Sequence, residues 1–407
     1  MFYFKLAFRN VFRSKGRTAI TLAAIAFGSV ALIFAGGFIE DSLYQLRESY
    51  IHSHLGHIEI SKKGFREKGA AQPFDYLITE PDPVMKLVSS IPHVLIVAPR
   101  LEFSGLLSTG ETTMSFIGQG VEPQLEDKMN NSLMFESGKN LLANDEYHLI
   151  LGRGLASSIS VKPSDPVVVL ANTQGGSINA LDVFIKGVFY TSSKEFDDRA
   201  IRMPLSAVQK LLMTSGVQTL IVLLDKTERT DEALQQIRQA MVKEGMEYEL
   251  VPWMQRSDFY NKLVDFYDKQ FGILKIIIAI VSILSIFNTM NMSVLERVGE
   301  LGTMRAIGTS RRRVIAIFVS EGFVLGLLGG LIGLGGGWLV AKGVSMIGIP
   351  MPPPPGATVD WVARIMIVPS TFVLSFSIAI VASLISSFYP AVKASRLMIA
   401  EALRHNV

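Results

Sequence analysis

Apolar residues in this chain gather in four long runs rather than in the short periodic stretches of an ordinary soluble domain. The first, Ala19 to Ile39, is 21 residues without a charge, enough at ~1.5 Å per residue to cross a ~30 Å hydrocarbon core. The second runs from Ile276 to Leu295, the third from Val314 to Val340 and the fourth from Ile365 to Tyr389. Four runs so close to bilayer length predict four transmembrane helices instead of buried core helices. A cleavable signal peptide is the competing reading of the first run, since Lys15 and Arg17 precede it and Ala35-Gly36-Gly37 are small. Its apolar core would be about 7–15 residues, so the run reads as an anchor.

The stretch between the first two runs has a different pattern. Gly56 to Ile60, Val167 to Leu170 and Leu220 to Leu224 read as strands, and Asp231 to Glu244 carries helical spacing at Leu234, Ile237 and Met241. This is an α+β pattern, with two lobes expected because residues 61–83 and 122–147 are polar and turn-rich. The fold class is therefore a membrane α-helical protein of four transmembrane helices, with a large α+β extracytoplasmic domain inserted between spans one and two.

Charge orients the spans. Residues 1–18 hold Lys5, Arg9, Arg13, Lys15 and Arg17 and no acid. Residues 296–313 hold Arg297, Arg305, Arg311, Arg312 and Arg313 against Glu296 and Glu300, and residues 391–407 hold Lys393, Arg396 and Arg404 against Glu401. Residues 40–271 hold 23 basic and 31 acidic residues. Basic pieces stay in the cytoplasm, so both termini are expected inside, with the large loop and the 341–364 loop outside.

Composition removes whole classes of chemistry. Only 18% of the 407 residues are charged, against roughly a quarter in soluble domains. The absence of cysteine excludes thiol nucleophiles, iron–sulfur clusters and cysteine-ligated zinc. The chain has no G-x-S-x-G elbow, no H-E-x-x-H pair and no Walker A loop. His52, His54 and His57 cluster just past the first span, but 52 and 54 share a strand face with no carboxylate between them, so a polar strand entry is the expectation. No catalytic, cofactor-binding or metal-binding residue is assigned, and no nucleic-acid partner is implied.

Two amphipathic segments stand out. Phe259, Leu263, Phe266, Gln270 and Ile273 are spaced 4-3-4-3, with Tyr260, Val264, Tyr267 and Phe271 as a parallel stripe. This predicts a stalk helix over 255–271, continuous with the second span and packed on its own domain or on a second copy. Between spans two and three, Val294, Val298, Leu301 and Met304 share one helical face, with Glu296, Arg297 and Glu300 turned elsewhere. Such a helix could lay its apolar face in a partner's groove while its charges fix the register; the alternative is a plain loop held at the membrane surface.

Asn288-Thr-Met-Asn-Met-Ser-Val-Leu-Glu-Arg-Val-Gly-Glu-Leu-Gly-Thr-Met-Arg-Ala-Ile-Gly308 resembles the permease segment of the FtsX/MacB superfamily of ABC transporters. Phe318-Val-Ser-Glu321-Gly-Phe-Val-Leu-Gly-Leu-Leu-Gly329-Gly330 is similar to the entry of that family's third span. Tyr389 to Arg396 with Glu401 to Arg404 resembles its C-terminal end, and Leu149 to Ala156 also fits. The resemblance runs the length of the chain. It departs at Met398-Ile399, where the family often has Asp-Pro, and at Ser164-Asp165-Pro166, where Gly-Asp is usual.

The resemblance implies the following organisation: 1–40 an N-terminal segment and span one; 41–271 the extracytoplasmic domain; 272–295 span two; 296–313 the coupling helix and loop; 314–340 span three; 341–364 an external loop; 365–390 span four; 391–407 a cytoplasmic tail. Glu296, Arg297, Glu300, Leu301, Gly302, Arg305, Ala306 and Gly308 would couple to an ABC ATP-binding subunit, present in two copies. ATP and magnesium would sit on that subunit and no cofactor on this chain, which begins almost at its first span and is expected to take its ATPase in trans. Phe259, Leu263, Phe266 and Tyr267 would form the stalk. Gly322, Gly326 and Gly330, with Gly329, Gly333 and Gly337, make small-xxx-small ladders suited to a helix interface. Glu321 is expected near the cytoplasmic surface beside a basic residue, since mid-membrane placement would cost roughly 2.5–3.5 kcal/mol. Asn288 and Asn291, with Ser282 and Ser285, put a polar stripe on span two. Further partners are membrane lipid, a second permease copy or paralogue, and a periplasmic carrier, adaptor or lipoprotein. Four spans with few polar groups make a poor aqueous conduit, which favours an amphiphile; the layout looks like that of lipoprotein-releasing permeases. A force or signal relay to a periplasmic hydrolase or sensor, and an efflux pump for a small toxic compound, are the alternatives.

Overall fold

The computed structural model describes residues 2–69, 71–129, 133–191, 193–353 and 360–396; the Met398–Arg404 part of the C-terminal motif lies outside them. In chain order the helices are α1 (Phe2–Val11), α2 (Lys15–Tyr50), α3 (Phe65–Lys68), α4 (Pro81–Ser89), α5 (Pro123–Met129), α6 (Arg153–Ile159), α7 (Lys194–Asp197), α8 (Leu205–Leu212), α9 (Thr230–Lys243), α10 (Asp258–Glu296), α11 (Val298–Ala306), α12 (Arg311–Ile347) and α13 (Pro369–Ser395). The chain divides into two compact units. One comprises the described residues of Met1–Leu43, Leu263–Pro350 and Val362–Val407, the other those of Tyr44–Lys262 and Met351–Trp361.

The first unit is a helical bundle. Four helices among the described residues, α2, α10, α12 and α13, are long and apolar enough to cross a membrane. Helix α12 holds the bundle together through its glycines. A Cβ at Gly326 would sit 3.0 Å from the Ala379 carbonyl, and one at Gly330 2.9 Å from the Phe376 ring, both on α13. On the opposite stripe, a Cβ at Gly329 would meet Ile25 at 2.8 Å and one at Gly337 would meet Ile33 at 2.6 Å, both on α2. The glycine ladders are thus used within the chain, where bare backbone lets helices approach until dispersion contacts are made along their length.

Span four does not begin at Ile365. Residues 365–368 precede the helix, which starts at Pro369 in the first turn, where a missing N–H is harmless. The Met366 N–H instead donates to the Gly37 carbonyl at 3.1 Å. Gly36 and Gly37 allow this close approach: a Cβ at Gly37 would lie 2.5 Å from the Met366 carbonyl oxygen, and one at Gly36 2.7 Å from Thr371. Helix α12 is longer than the apolar run predicts, because Ala341 to Ile347 stay helical beyond it. The N-terminal segment contains a separate helix, α1, whose Ala7 and Val11 are buried in the bundle core.

The second unit is built on a ten-stranded sheet: β1 (Ile58–Lys62), β2 (Val94–Ser108), β3 (Thr113–Val121), β4 (Met134–Gly138), β5 (His148–Gly152), β6 (Pro166–Asn172), β7 (Ile178–Tyr190), β8 (Ala200–Pro204), β9 (Thr219–Leu224) and β10 (Tyr248–Pro252). Nine run in the order β10-β1-β9-β2-β3-β8-β5-β7-β4, and β6 pairs with β2 and β7. Among the described residues, β3/β8 and β5/β7 pair in parallel and the other strand pairs of this sheet are antiparallel. Strand β9 is buried on both faces, which its unbroken Leu220–Leu224 run requires. Helices α4, α6, α8 and α9 bring Val84, Leu155, Val208 and Ile237 onto one core. The domain expected as two lobes carries one continuous sheet: the turn-rich 122–147 stretch contributes its strand β4, and 61–83 runs from the end of β1 into α3 and α4. Ser164, where the resembled family usually has glycine, has a φ of 80°, a left-handed conformation that favours glycine.

The histidines are also placed differently. The residues after Tyr50 form a π-helical turn, Ile51–Leu55, closed by Gly56 at φ 65°, so His52 and His54 lie on helix and the strand begins only at Ile58. His57 is buried. Its Nδ1 accepts the Leu224 N–H at 3.1 Å, which leaves the proton on Nε2, 3.0 Å from Thr227 Oγ1. Burial, with the charge of His52 behind it, pushes the His57 imidazole down from 6.5 to about 4. The unfolded chain therefore takes up a proton near pH 6.5 that the folded chain refuses. Stability from this group is full above about 6.5 and is lost as pH falls towards 4, by at most about 3 kcal/mol. The thermal midpoint of the detergent-solubilised chain should fall between pH 7 and 4.5, and His57→Asn should flatten that slope. Equal slopes would contradict the assignment.

Candidate functional site

At the end of the helical unit that carries its basic residues, α10 gives way to α11 through Arg297, whose backbone (φ −116°, ψ 17°) is not helical. The break turns the Arg297 guanidinium inward. Its Nη1 donates to Glu321 Oε1 at 2.7 Å and its Nε to Glu300 Oε2 at 3.1 Å. Asn10 Nδ2 donates to the same Glu321 oxygen at 2.6 Å, and Arg13 Nη1 donates to Glu300 at 2.5 Å. Arg17 pairs with Glu296. Asn10, three arginines and three glutamates thus tie α1, the α1–α2 turn and the start of α2 to the end of α10, to α11 and to α12, around a polar cavity of about 240 Å³ lined by Asn10, Arg17, Thr289, Arg297 and Glu321. The Arg13 bond, working against partial burial, holds the Glu300 carboxyl below its usual range. Glu321 is only 2% exposed, and its charge is held by Arg297 and Asn10.

Helix α11 was expected to dock through an apolar face formed by Val294, Val298, Leu301 and Met304. Val294 and Leu301 are instead buried in this unit's own core, together with Val314 and Phe318. Gly302 is buried too, and Arg305 Nη1 donates to the Ser395 carbonyl at 2.5 Å. Leu301, Gly302 and Arg305 thus hold α11 from behind. The face left outward is Glu300, Thr303, Ala306 and Ile307, with Gly308 beyond. Ile307 is 82% exposed. Gly308 at φ 97° ends the helix, so the isoleucine stands at the tip of the turn. Asn10, Thr303 and Ile307 carry no assignment from sequence, and Arg13 and Arg17 appear there only as orienting charges; the one available signal is a large apolar residue directly before a helix-ending glycine.

Span two and its extension hold the rest. The stalk does not begin at residue 255: Trp253–Arg256 is a 3₁₀ turn and α10 starts at Asp258. In the domain unit, Phe259 meets Tyr50 edge-on at 6.5 Å, and Tyr260 meets Trp253 at 5.1 Å. In the helical unit, Leu263 is half-buried, Phe266 is exposed, and Tyr267 lies 5.7 Å from the Phe266 ring. Ser282 is buried, Thr289 shares a hydrogen bond of 2.5 Å with Thr21, Asn291 is half-buried and Asn288 is exposed among Leu284, Met292 and Leu295. Gly322, Gly326 and Gly330 face α13.

Farther along the same two helices, α2 and α10 part to leave a groove of about 450 Å³. Phe34, Ala35, Phe38 and Ile39 line one wall, and Tyr267, Gln270, Phe271, Ile273, Leu274 and Ile277 the other. Gln270 is the one amide among apolar and aromatic side chains, a lining suited to hydrocarbon.

Residues 272–399 match the model of the FtsX-like permease C-terminal family, and residues 18–240 match that of the MacB-like periplasmic core domain. Among curated proteins, the lipoprotein-releasing system transmembrane protein LolC of Xylella fastidiosa is 26% identical over 78% of this chain and 80% of its own. An uncharacterized ABC transporter permease of Methanocaldococcus jannaschii is 23% identical over 98% of this chain and 96% of its own. Among solved structures, the periplasmic region of MacB from Actinobacillus actinomycetemcomitans aligns with a TM-score of 0.37 at 13% identity, covering 53% of this chain and 98% of that one.

Proposed function

We propose, from the premise that this chain belongs to the FtsX/MacB family of ABC transporter permeases, that it moves lipoproteins or similar amphiphiles out of the outer leaflet of the membrane. Its four apolar helices and its permease relatives make it a protein of a bacterial inner membrane. The observation that carries the proposal is the apolar groove between α2 and α10, which lies at the end of the unit away from its arginine-rich surface and accepts hydrocarbon while offering few polar contacts. LolC, the relative described above, is a lipoprotein-releasing system protein, which agrees with that class of cargo.

The energy enters at the opposite end. A separate ABC ATP-binding subunit receives the tip of α11, with Ile307 as the apolar anchor and Glu300 and Thr303 beside it. The paired charges behind the tip keep α11 fixed to α1, α2 and α12, so a push on Ile307 reaches both walls' helices at their basic ends. In this arrangement the arginine-rich end faces the cytoplasm, as Lys/Arg placement favours. Two permease chains with two ATPases complete the machine, and the exposed apolar face of α10 at Ile280, Leu284 and Leu295 supports a second chain alongside it.

ATP-driven release of a lipoprotein from proteoliposomes tests both ends. Ile307→Asp should reduce release by tenfold or more, since a charge replaces a buried anchor worth about 2 kcal/mol. Ala35→Trp should block release while leaving ATPase binding intact. Normal release by the tryptophan variant would remove the groove from the path.

A further inference from the structure

We infer that the groove between α2 and α10 takes one acyl chain of an anionic glycerophospholipid of the outer leaflet, with its phosphate on Lys275. The assignment rests on the reading of this groove as the amphiphile path and adds a headgroup chemistry to it. Lys275 interrupts the apolar surface of α10 between two groove residues, Leu274 and Ile277. A lysine on a lipid-crossing helix is rare enough to need a reason.

Its depth supplies one. Helix α10 rises ~1.5 Å per residue, which sets Lys275 roughly 32 Å along the axis from Glu296, about one hydrocarbon thickness. The side chain also reaches one turn back towards the start of the helix, away from the basic end. Its Nζ stands 4.5 Å from the centroid of the Phe271 ring, and Phe271 is itself a wall of the groove. The stem therefore lies along apolar surface while the ammonium is lifted towards headgroup level, against the Phe271 wall of the groove.

The charge there is uncompensated. Among the described residues the contact shown for the Lys275 ammonium is the Phe271 ring face, and no residue lining the groove is acidic. The nearest acids on α2 are Glu40, which is exposed, and Asp41, which accepts the Arg364 N–H at 2.9 Å. A hydrocarbon slot with one cation beside its Phe271 wall matches a lipid that has a phosphate next to its acyl chains. A diacylglyceryl anchor has the chains but no anion for the ammonium.

Native mass spectrometry of the full chain in mild detergent separates these ligands. Dioleoyl phosphatidylglycerol should bind one per groove. Lys275→Gln should weaken that binding about fivefold, the worth of one basic group near a lipid phosphate, and Lys275→Arg should restore it. Dioleoylglycerol should bind more weakly than phosphatidylglycerol and be indifferent to Lys275, whereas Ala35→Trp should weaken both. Equal binding of the two lipids by the wild type, or unchanged phosphatidylglycerol binding by Lys275→Gln, would overturn the assignment. Lipoprotein release is measured separately. Release that persists in Ala35→Trp defeats the amphiphile path itself, whereas unchanged phosphatidylglycerol binding in Lys275→Gln defeats the headgroup assignment alone.

Discussion

Replacing Arg297 with alanine is expected to destabilise the helical unit by about 3–5 kcal/mol, because it strands a buried carboxylate. The Arg297 guanidinium holds Glu321 at 2.7 Å, and the Glu321 side chain is only 3% exposed. Asn10 would be its one remaining named donor, at 2.6 Å. Adding Glu321→Gln to Arg297→Ala removes the stranded charge and keeps an acceptor for Asn10, so the double variant should recover most of the loss. Thermal unfolding of the three proteins in detergent reads this directly. If the single variant melts with the wild type, the pair is not a buried charge pair and the anchoring of α11 needs another explanation.

A second large effect is expected in the sheet domain. Arg100 and Arg202 are each only 1% exposed and share one carboxylate, Glu126. Arg100 donates to it from Nε at 2.7 Å and from Nη2 at 3.0 Å, and Arg202 Nη1 lies at 3.8 Å. Burial pushes the Arg202 guanidinium down to about 10, so this cluster is held together by its central anion. The same arginines cap the π-helical turn: Arg100 donates to the His54 carbonyl, and Arg202 Nη2 to the Ser53 carbonyl at 2.7 Å. Glu126→Ala leaves two buried cations facing each other and should cost about 3–5 kcal/mol. Glu126→Gln, which keeps the acceptor oxygen, should cost less. Denaturant unfolding followed by circular dichroism measures both, and wild-type stability in the alanine variant would contradict the cluster's role.

What the sequence made legible follows from how strongly each feature is over-determined. Four spans could be read because a lipid-crossing helix needs some twenty apolar residues in a row, and Ala19 to Ile39 or Val314 to Val340 permit little else. Glu321 could be placed beside a basic residue because an unpaired charge on that helix is so costly. The start of span four was not legible. Ile365, Met366, Ile367 and Val368 are as apolar as the helix that follows, and their contacts with Gly36 and Gly37, more than three hundred residues earlier, and with Ser345 hold them outside it. The spacing of Phe4, Ala7, Phe8 and Val11 does carry a helical period for α1, but a period does not tell which core covers its apolar face. The reversal of α11 has a similar cause. Periodicity shows that Val294 and Leu301 share a face but not whether a partner or the chain's own core covers it, so the outward Ile307 could be found only from the packed structure.

Purification of the tagged chain from its native membranes in mild detergent, followed by mass spectrometry of what it retains, tests the central claim most directly. An ABC ATP-binding protein is expected with the wild type in near-equal amount and should be lost from Ile307→Asp, which still inserts. A wild-type preparation free of any ABC ATPase would contradict the account.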